Sequence, residues 1–237
     1  MHWPPRWAAF FALVRVEATY TTWRIDPANA RCGIELLQEF AQSTTEAKLR
    51  TGEHLARSAL AMHLRAAETV PLMLATFDEV DPSLRAQAAK TLAQFKSDAL
   101  PALPKLTFAL RDPDRGLRAA AVSAIEAIGP AAAEAIPNLV DALGDPAAQA
   151  VAARALGEFG PAAAAAVPKL VELVSDPSRF AGSAELRSNA ARALGRIGVT
   201  DESVLAALRQ AGADPDATIR EAAREALTRL DAAGGQP

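Results

Sequence analysis

From residue 81 onward the dipeptide Asp-Pro recurs at Asp81-Pro82, Asp112-Pro113, Asp145-Pro146, Asp176-Pro177 and Asp214-Pro215, at intervals of 31, 33, 31 and 38 residues. A period of that length implies stacked supersecondary units rather than one irregular globular core. Each pair follows one apolar stretch and precedes another. Asp caps helix N-termini well and Pro suits the first helical position, so each pair is read as a helix start.

The segment after each pair repeats as well. Residues 84–92, 117–125, 148–156, 186–194 and 219–227 place Leu, Ile and Ala at helical spacing, with Arg or Gln early in the run. These form the second helix of each unit. The first helix has its own phrase: Val70-Pro71-Leu72-Met73, Leu103-Pro104-Lys105-Leu106, Ile136-Pro137-Asn138-Leu139 and Val167-Pro168-Lys169-Leu170. A proline inside a helical pattern bends or restarts the helix, and repetition makes that a feature of the unit. Gly129-Pro130 and Gly160-Pro161 close two units, Gly ending one helix and Pro opening the next.

The internal Pro of the first helix, the Asp at the turn and the Arg early in the second helix resemble HEAT repeats. They are most similar to the short bacterial kind related to the phycobilisome bilin-lyase family. The resemblance implies an all-α, right-handed α-solenoid of about five to six helical hairpins. It also implies an Asp/Arg ladder between neighbouring units, carried here by Asp112, Arg118, Arg187, Asp214 and Arg220. Asp112 and Arg118 are six residues apart, as are Asp214 and Arg220. Gln149 stands where one unit should carry its Arg, and an insertion, Arg179-Phe180-Ala181-Gly182-Ser183, separates turn from helix in another. Residues 68–232 form the array on this reading. Residues 1–67 hold a cap helix and a degenerate repeat with helices near 33–41 and 46–64, and residues 233–237 form a disordered tail.

Composition narrows the function. The 237 residues carry a net charge of -3 and 5% aromatics, so no strong field favours nucleic acid and few rings are present to stack on bases. No stretch approaches the ~20 apolar residues of a membrane span. The apolar run 7–14 is interrupted by Arg15 and lacks a small-residue cleavage site, so it reads as a cap rather than a signal peptide and points to the cytoplasm. Cys32 is the single cysteine, with no partner for a disulfide or a zinc site. His54 and His63 fall on opposite sides of one predicted helix, and phosphate-loop, nucleophile-elbow and zinc-protease motifs are missing. Asp201-Glu202 is read as helix capping. No catalytic residue, metal or cofactor is expected, and a bilin-lyase-like accessory subunit is the enzymatic alternative.

One constellation stands out. Four or five residues beyond the early Arg or Gln stand Lys90, Ser123, Arg154, Arg192 and Arg224. Nine residues beyond stand Gln94, Ala127, Glu158, Arg196 and Arg229. Residues one helical turn apart share a face. In a stack of this type the second helices line the concave side, so a groove with a basic row is expected, able to hold another protein or an acidic peptide. Binding of nucleic acid through the same row is the weaker alternative. Arg154 with Glu158 and Glu225 with Arg229 have i,i+4 spacing and read as local pairs. Phe180, apolar in a polar inserted loop, is a second candidate contact.

Overall fold

The computed structural model describes residues 66–77, 81–176 and 183–234. Among the described residues every regular element is helical. The helices are α1 (Ala66–Thr76), α2 (Pro82–Gln94), α3 (Leu103–Ala109), α4 (Arg115–Ile128), α5 (Ile136–Ala142), α6 (Gln149–Phe159), α7 (Val167–Ser175), α8 (Ala184–Ile197), α9 (Glu202–Ala211) and α10 (Ala217–Gly234). They pair as hairpins α1/α2, α3/α4, α5/α6, α7/α8 and α9/α10, each packed on the next. This is an α-solenoid. Residues 233 and 234, expected in the tail, belong to α10.

The first helices of the three middle hairpins are composite. A 3-10 segment (Lys96–Ala102, Gly129–Ala135 or Gly160–Ala166) leads directly into α3, α5 or α7. Pro104, Pro137 and Pro168 stand in the first turn of those α-helices, where a missing N–H costs nothing. The proline therefore restarts the helix. Pro71 instead lies inside α1.

Four second helices are followed by a residue of positive φ at one register: Lys96 (φ 50), Gly129 (φ 78), Gly160 (φ 57) and Gly198 (φ 82). Gly suits this conformation, whereas the Cβ of Lys96 makes it costly.

The core is continuous along the array. Leu92, Leu106, Ile125, Leu139, Leu156, Leu170, Leu194 and Leu208 are fully buried, and alanines such as Ala89, Ala121, Ala153, Ala191 and Ala222 fill the space between layers. Segment Arg115–Ala142 is long and apolar enough to cross a membrane by composition. It nevertheless breaks at Gly129, and its apolar side chains, among them Leu117, Ile125, Ile136 and Leu139, lie in the core.

Small residues set how closely the second helices approach. A Cβ added at Gly157 would lie 3.0 Å from the Ala193 Cα, and one at Gly195 only 2.6 Å from the Ala226 Cα. Helices α6 and α8, and α8 and α10, therefore pack along their length, and α2 and α4 do so with Ala93 at the same register. The α4/α6 pair packs much less extensively, although α6 lies close against α8. At the register of Gly157 and Gly195, α4 carries Glu126.

Cys32, the three histidines, the helices expected near 33–41 and 46–64, and the Phe180 loop lie outside the described residues.

Candidate functional site

The Asp-Pro turns are built differently from a simple cap. Among the described residues only Asp81 of these pairs caps its own helix, accepting from the Ser83 N–H at 2.8 Å ahead of Pro82. In the next units the helix starts later. Asp114 and Asp216 take the cap positions of α4 and α10, while Asp112, Asp145 and Asp214 lie upstream in tight turns. Their Oδ1 atoms accept from the N–H two residues on: Asp114 to Asp112 at 2.9 Å, Ala147 to Asp145 at 3.0 Å, and Asp216 to Asp214 at 2.9 Å. Each turn thus consumes one carboxylate oxygen and leaves the other for a neighbour.

That second oxygen receives an arginine from the preceding unit. Arg85 Nη2 meets Asp112 Oδ2 at 2.9 Å, and Arg187 Nη2 meets Asp214 Oδ2 at 2.7 Å. Arg118 donates from Nε to Asp145 Oδ2 at 2.5 Å and from Nη2 to Oδ1 at 3.1 Å. The partners of the ladder are therefore 27 residues apart and join adjacent units. The six-residue spacing has another use. Arg118 donates to the main-chain carbonyls of Asp112 and Pro113, and Arg220 to those of Asp214 and Pro215. One arginine thus ties its own turn and the next. The hydrogen bond from Arg118 holds the Asp145 carboxyl below its ordinary range, and the same bond raises the Arg118 guanidinium. The Arg187–Asp214 pair is the most enclosed, with both side chains 8% exposed.

A second set of bonds joins the first helices. Lys105 Nζ donates to the Leu74 carbonyl at 2.9 Å and Lys169 Nζ to the Val140 carbonyl at 3.0 Å. These cations satisfy carbonyls near the C-terminal end of the preceding unit's first helix.

The expected basic row lies on the second helices, and half of its cations are engaged. Arg154 pairs with Glu126 at 2.9 Å, Arg192 with Glu225 at 3.2 Å, and Arg196 with Glu158. All three bonds cross between units. The local pairs read from i,i+4 spacing give way to them, because stacking brings the neighbouring helix within side-chain reach. Glu225, not Arg224, stands at the register of Arg154 and Arg192, so the C-terminal end of the row alternates in sign. Lys90, Arg224 and Arg229 are exposed and hold no carboxylate among the described residues. Asp201 stands before α9 without a side-chain cap bond, and Glu202 pairs with Arg209 at 3.2 Å.

Glu126 differs from the other acids of this face. Its side chain is 15% exposed against 51% for its partner Arg154. Burial pushes its carboxyl above the ordinary glutamate range, with Glu158 adding to the shift and Arg154 and Arg196 opposing it.

The structure also shows a cleft that the repeat pattern did not announce. Phe77, Pro104, Phe108 and Leu117 surround about 380 Å³ beside the Arg85–Asp112 pair. Phe108 is 82% exposed. Its register in α3 is held by Asp141 in α5 and Glu172 in α7, and that mismatch was the available signal. Among the described residues no cluster of His, Cys, Asp and Glu is arranged to hold a metal ion.

Stacked helical hairpins tied by an Arg/Asp ladder define an α-solenoid repeat protein. The sequence matches the HEAT repeats over residues 34–125, 69–148 and 136–228, and the chain belongs to that family. Among proteins of curated function none matches significantly. Solved structures with a similar fold include an engineered protein with 21% identity and a TM-score of 0.66, covering 84% of this chain and 98% of that one. The complex of CpcE and CpcF of phycocyanin lyase from Nostoc sp. has 22% identity and a TM-score of 0.51, covering 68% and 99%. A designed armadillo repeat protein in complex with the peptide (KR)4 has 16% identity and a TM-score of 0.59, covering 86% and 94%. At these identities the likeness concerns the fold.

Proposed function

We propose that the protein is a non-enzymatic interaction scaffold that binds another protein, or an acidic peptide, along the face formed by its second helices. The observation that carries this reading is the close stacking of those helices on Gly157, Ala193, Gly195 and Ala226. In a curved stack the more tightly packed row lies on the inside, which supports reading this face as the concave groove. Its charged side chains are Lys90, Arg154, Glu158, Arg192, Arg196, Arg224 and Arg229. The uncommitted cations Lys90, Arg224 and Arg229 supply the attraction for an acidic partner. Arg154, Arg192 and Arg196 join only as the partner's carboxylates replace Glu126, Glu225 and Glu158. Such exchange favours specificity over raw affinity. A bilin-lyase-like role draws support from the phycocyanin lyase neighbour alone, and nucleic-acid binding is disfavoured by the alternating signs.

The test is co-purification of the intact protein from its own cells, beside a Lys90→Glu/Arg224→Glu/Arg229→Glu variant and a Phe108→Ser variant. These changes leave the inter-unit pairs intact. Loss of a specific partner in the triple variant alone supports the groove. Loss in Phe108→Ser alone moves the site to the Phe77/Phe108 cleft and overturns the groove reading.

A further inference from the structure

The α4/α6 boundary combines features found at no other boundary among the described second helices. Its N-terminal end is held by the two-pronged Arg118–Asp145 bond. Towards its C-terminal end the small-residue contact is missing. Glu126 occupies the register of Gly157 and Gly195, and its mostly buried carboxylate meets Arg154 on α6. The same α6 packs closely on α8 through Gly157 and Ala193, so helix length does not explain the looser α4/α6 packing.

We propose that this boundary is a joint in the array, pinned at Arg118–Asp145 and propped open by Glu126–Arg154, and that removing the Glu126 charge lets the two halves of the solenoid move relative to one another. The energetic logic is local. A charged, mostly buried Glu126 must hold Arg154, and a neutral one has no such requirement. The charges acting on Glu126 come from Arg154 and Glu158 on α6 and Arg196 on α8. Burial raises Glu126 while the Arg118 hydrogen bond lowers Asp145. Acidification therefore releases the prop before the pin. The joint is a property of the free protein and does not depend on the groove reading. A failed joint leaves groove binding standing, and the reverse holds as well.

The experiment measures spin-label distances in the full chain, in a Cys32→Ser background. One label pair at Gln94 and Thr228 spans the boundary, and a control pair at Ala164 and Ala206 lies wholly on its C-terminal side; all four positions are exposed. Helix pairs with small residues at the contact pack near 8 Å and bulkier ones near 10 Å, so Glu126→Gly is expected to shorten the spanning distance by about 2 Å or more. Lowering the pH from 7 to 5 should shift the spanning distribution in the wild type and not in Glu126→Gln, with the control pair constant throughout. A spanning distance that is unchanged in Glu126→Gly and in the acidified wild type overturns the joint, as does a control pair that moves with it. If Glu126→Gly fails to fold, the pH comparison between wild type and Glu126→Gln decides alone.

Discussion

The α8/α10 boundary and the α4/α6 boundary solve one problem in opposite ways. At α8/α10, Gly195 lets the Ala226 backbone come so close that no Cβ fits between them, and the enclosed Arg187–Asp214 pair locks the turn side. Backbone packing and ion pair reinforce each other there. At α4/α6 the ion pair Arg118–Asp145 remains, but a partly buried acid stands where the small residue should be. The first arrangement is rigid because it leaves no room. The second depends on the charge of one side chain. Repeats with the same outline can thus differ in stiffness through a single register position.

The largest expected effect that sharpens this contrast is Asp214→Ala. It strands the buried Arg187 guanidinium, and breaking a buried pair by removing one partner costs about 3–5 kcal/mol. The urea midpoint should fall sharply, and more than in Arg118→Ala, whose partner Asp145 is better exposed. Next comes Gly195→Ala. The added methyl must displace the Ala226 backbone, an overpacking cost of about 1–3 kcal/mol. Gly157→Ala meets Ala193 at 3.0 Å and should cost less in the same unfolding experiment. A Gly157→Ala loss equal to that of Gly195→Ala would break the ranking.

Lys96→Gly should stabilise by about 1 kcal/mol, because it removes a side chain from a left-handed position that Gly holds in three later units. The melting temperature checks it.

Acid stability separates the two carboxylates at α4/α6 by sign. Asp145 is lowered in the folded state, so its contribution is present above the ordinary aspartate value and is lost as pH falls through the folded one. Asp145→Asn should lower the midpoint at pH 7 and flatten its acid decline. Glu126 is raised, so it costs stability as pH rises through the window above the ordinary glutamate value. Glu126→Gln should remove that slope, read from urea midpoints between pH 4 and 7. The smallest effect belongs to Arg209→Ala. Its bond to Glu202 is largely exposed, and such pairs contribute about 0–1 kcal/mol.

Much of the architecture was legible in the residues. The Asp-Pro period and the Leu/Ala spacing specified the hairpins because both report local conformation. The use of each Asp was less legible. A spacing of six within a unit looks like a side-chain pair, yet Arg118 and Arg220 spend it on main-chain carbonyls and Arg118 reaches 27 residues ahead for its carboxylate. That choice depends on how units stack, which no single repeat encodes. Helical spacing likewise suggested Arg154 with Glu158, whereas stacking gives Arg154 to Glu126 and Glu158 to Arg196. Glu126 was overlooked because an acid on an amphipathic helix is unremarkable until its register is compared with Gly157 and Gly195. Phe108 shows the same lesson against Asp141 and Glu172.

The divided duty of Asp112, Asp145 and Asp214 turns three backbone amides into sensors. Each carboxylate holds the N–H of Asp114, Ala147 or Asp216 with one oxygen while the preceding unit's arginine holds the other, and at Asp145 the arginine spans both. When a unit opens and withdraws its arginine, the next unit's turn loses part of what orders it. Solvent exchange at those three amides therefore reports on the residues some thirty positions earlier, and unfolding is communicated along the chain as a relay rather than suffered by each repeat alone.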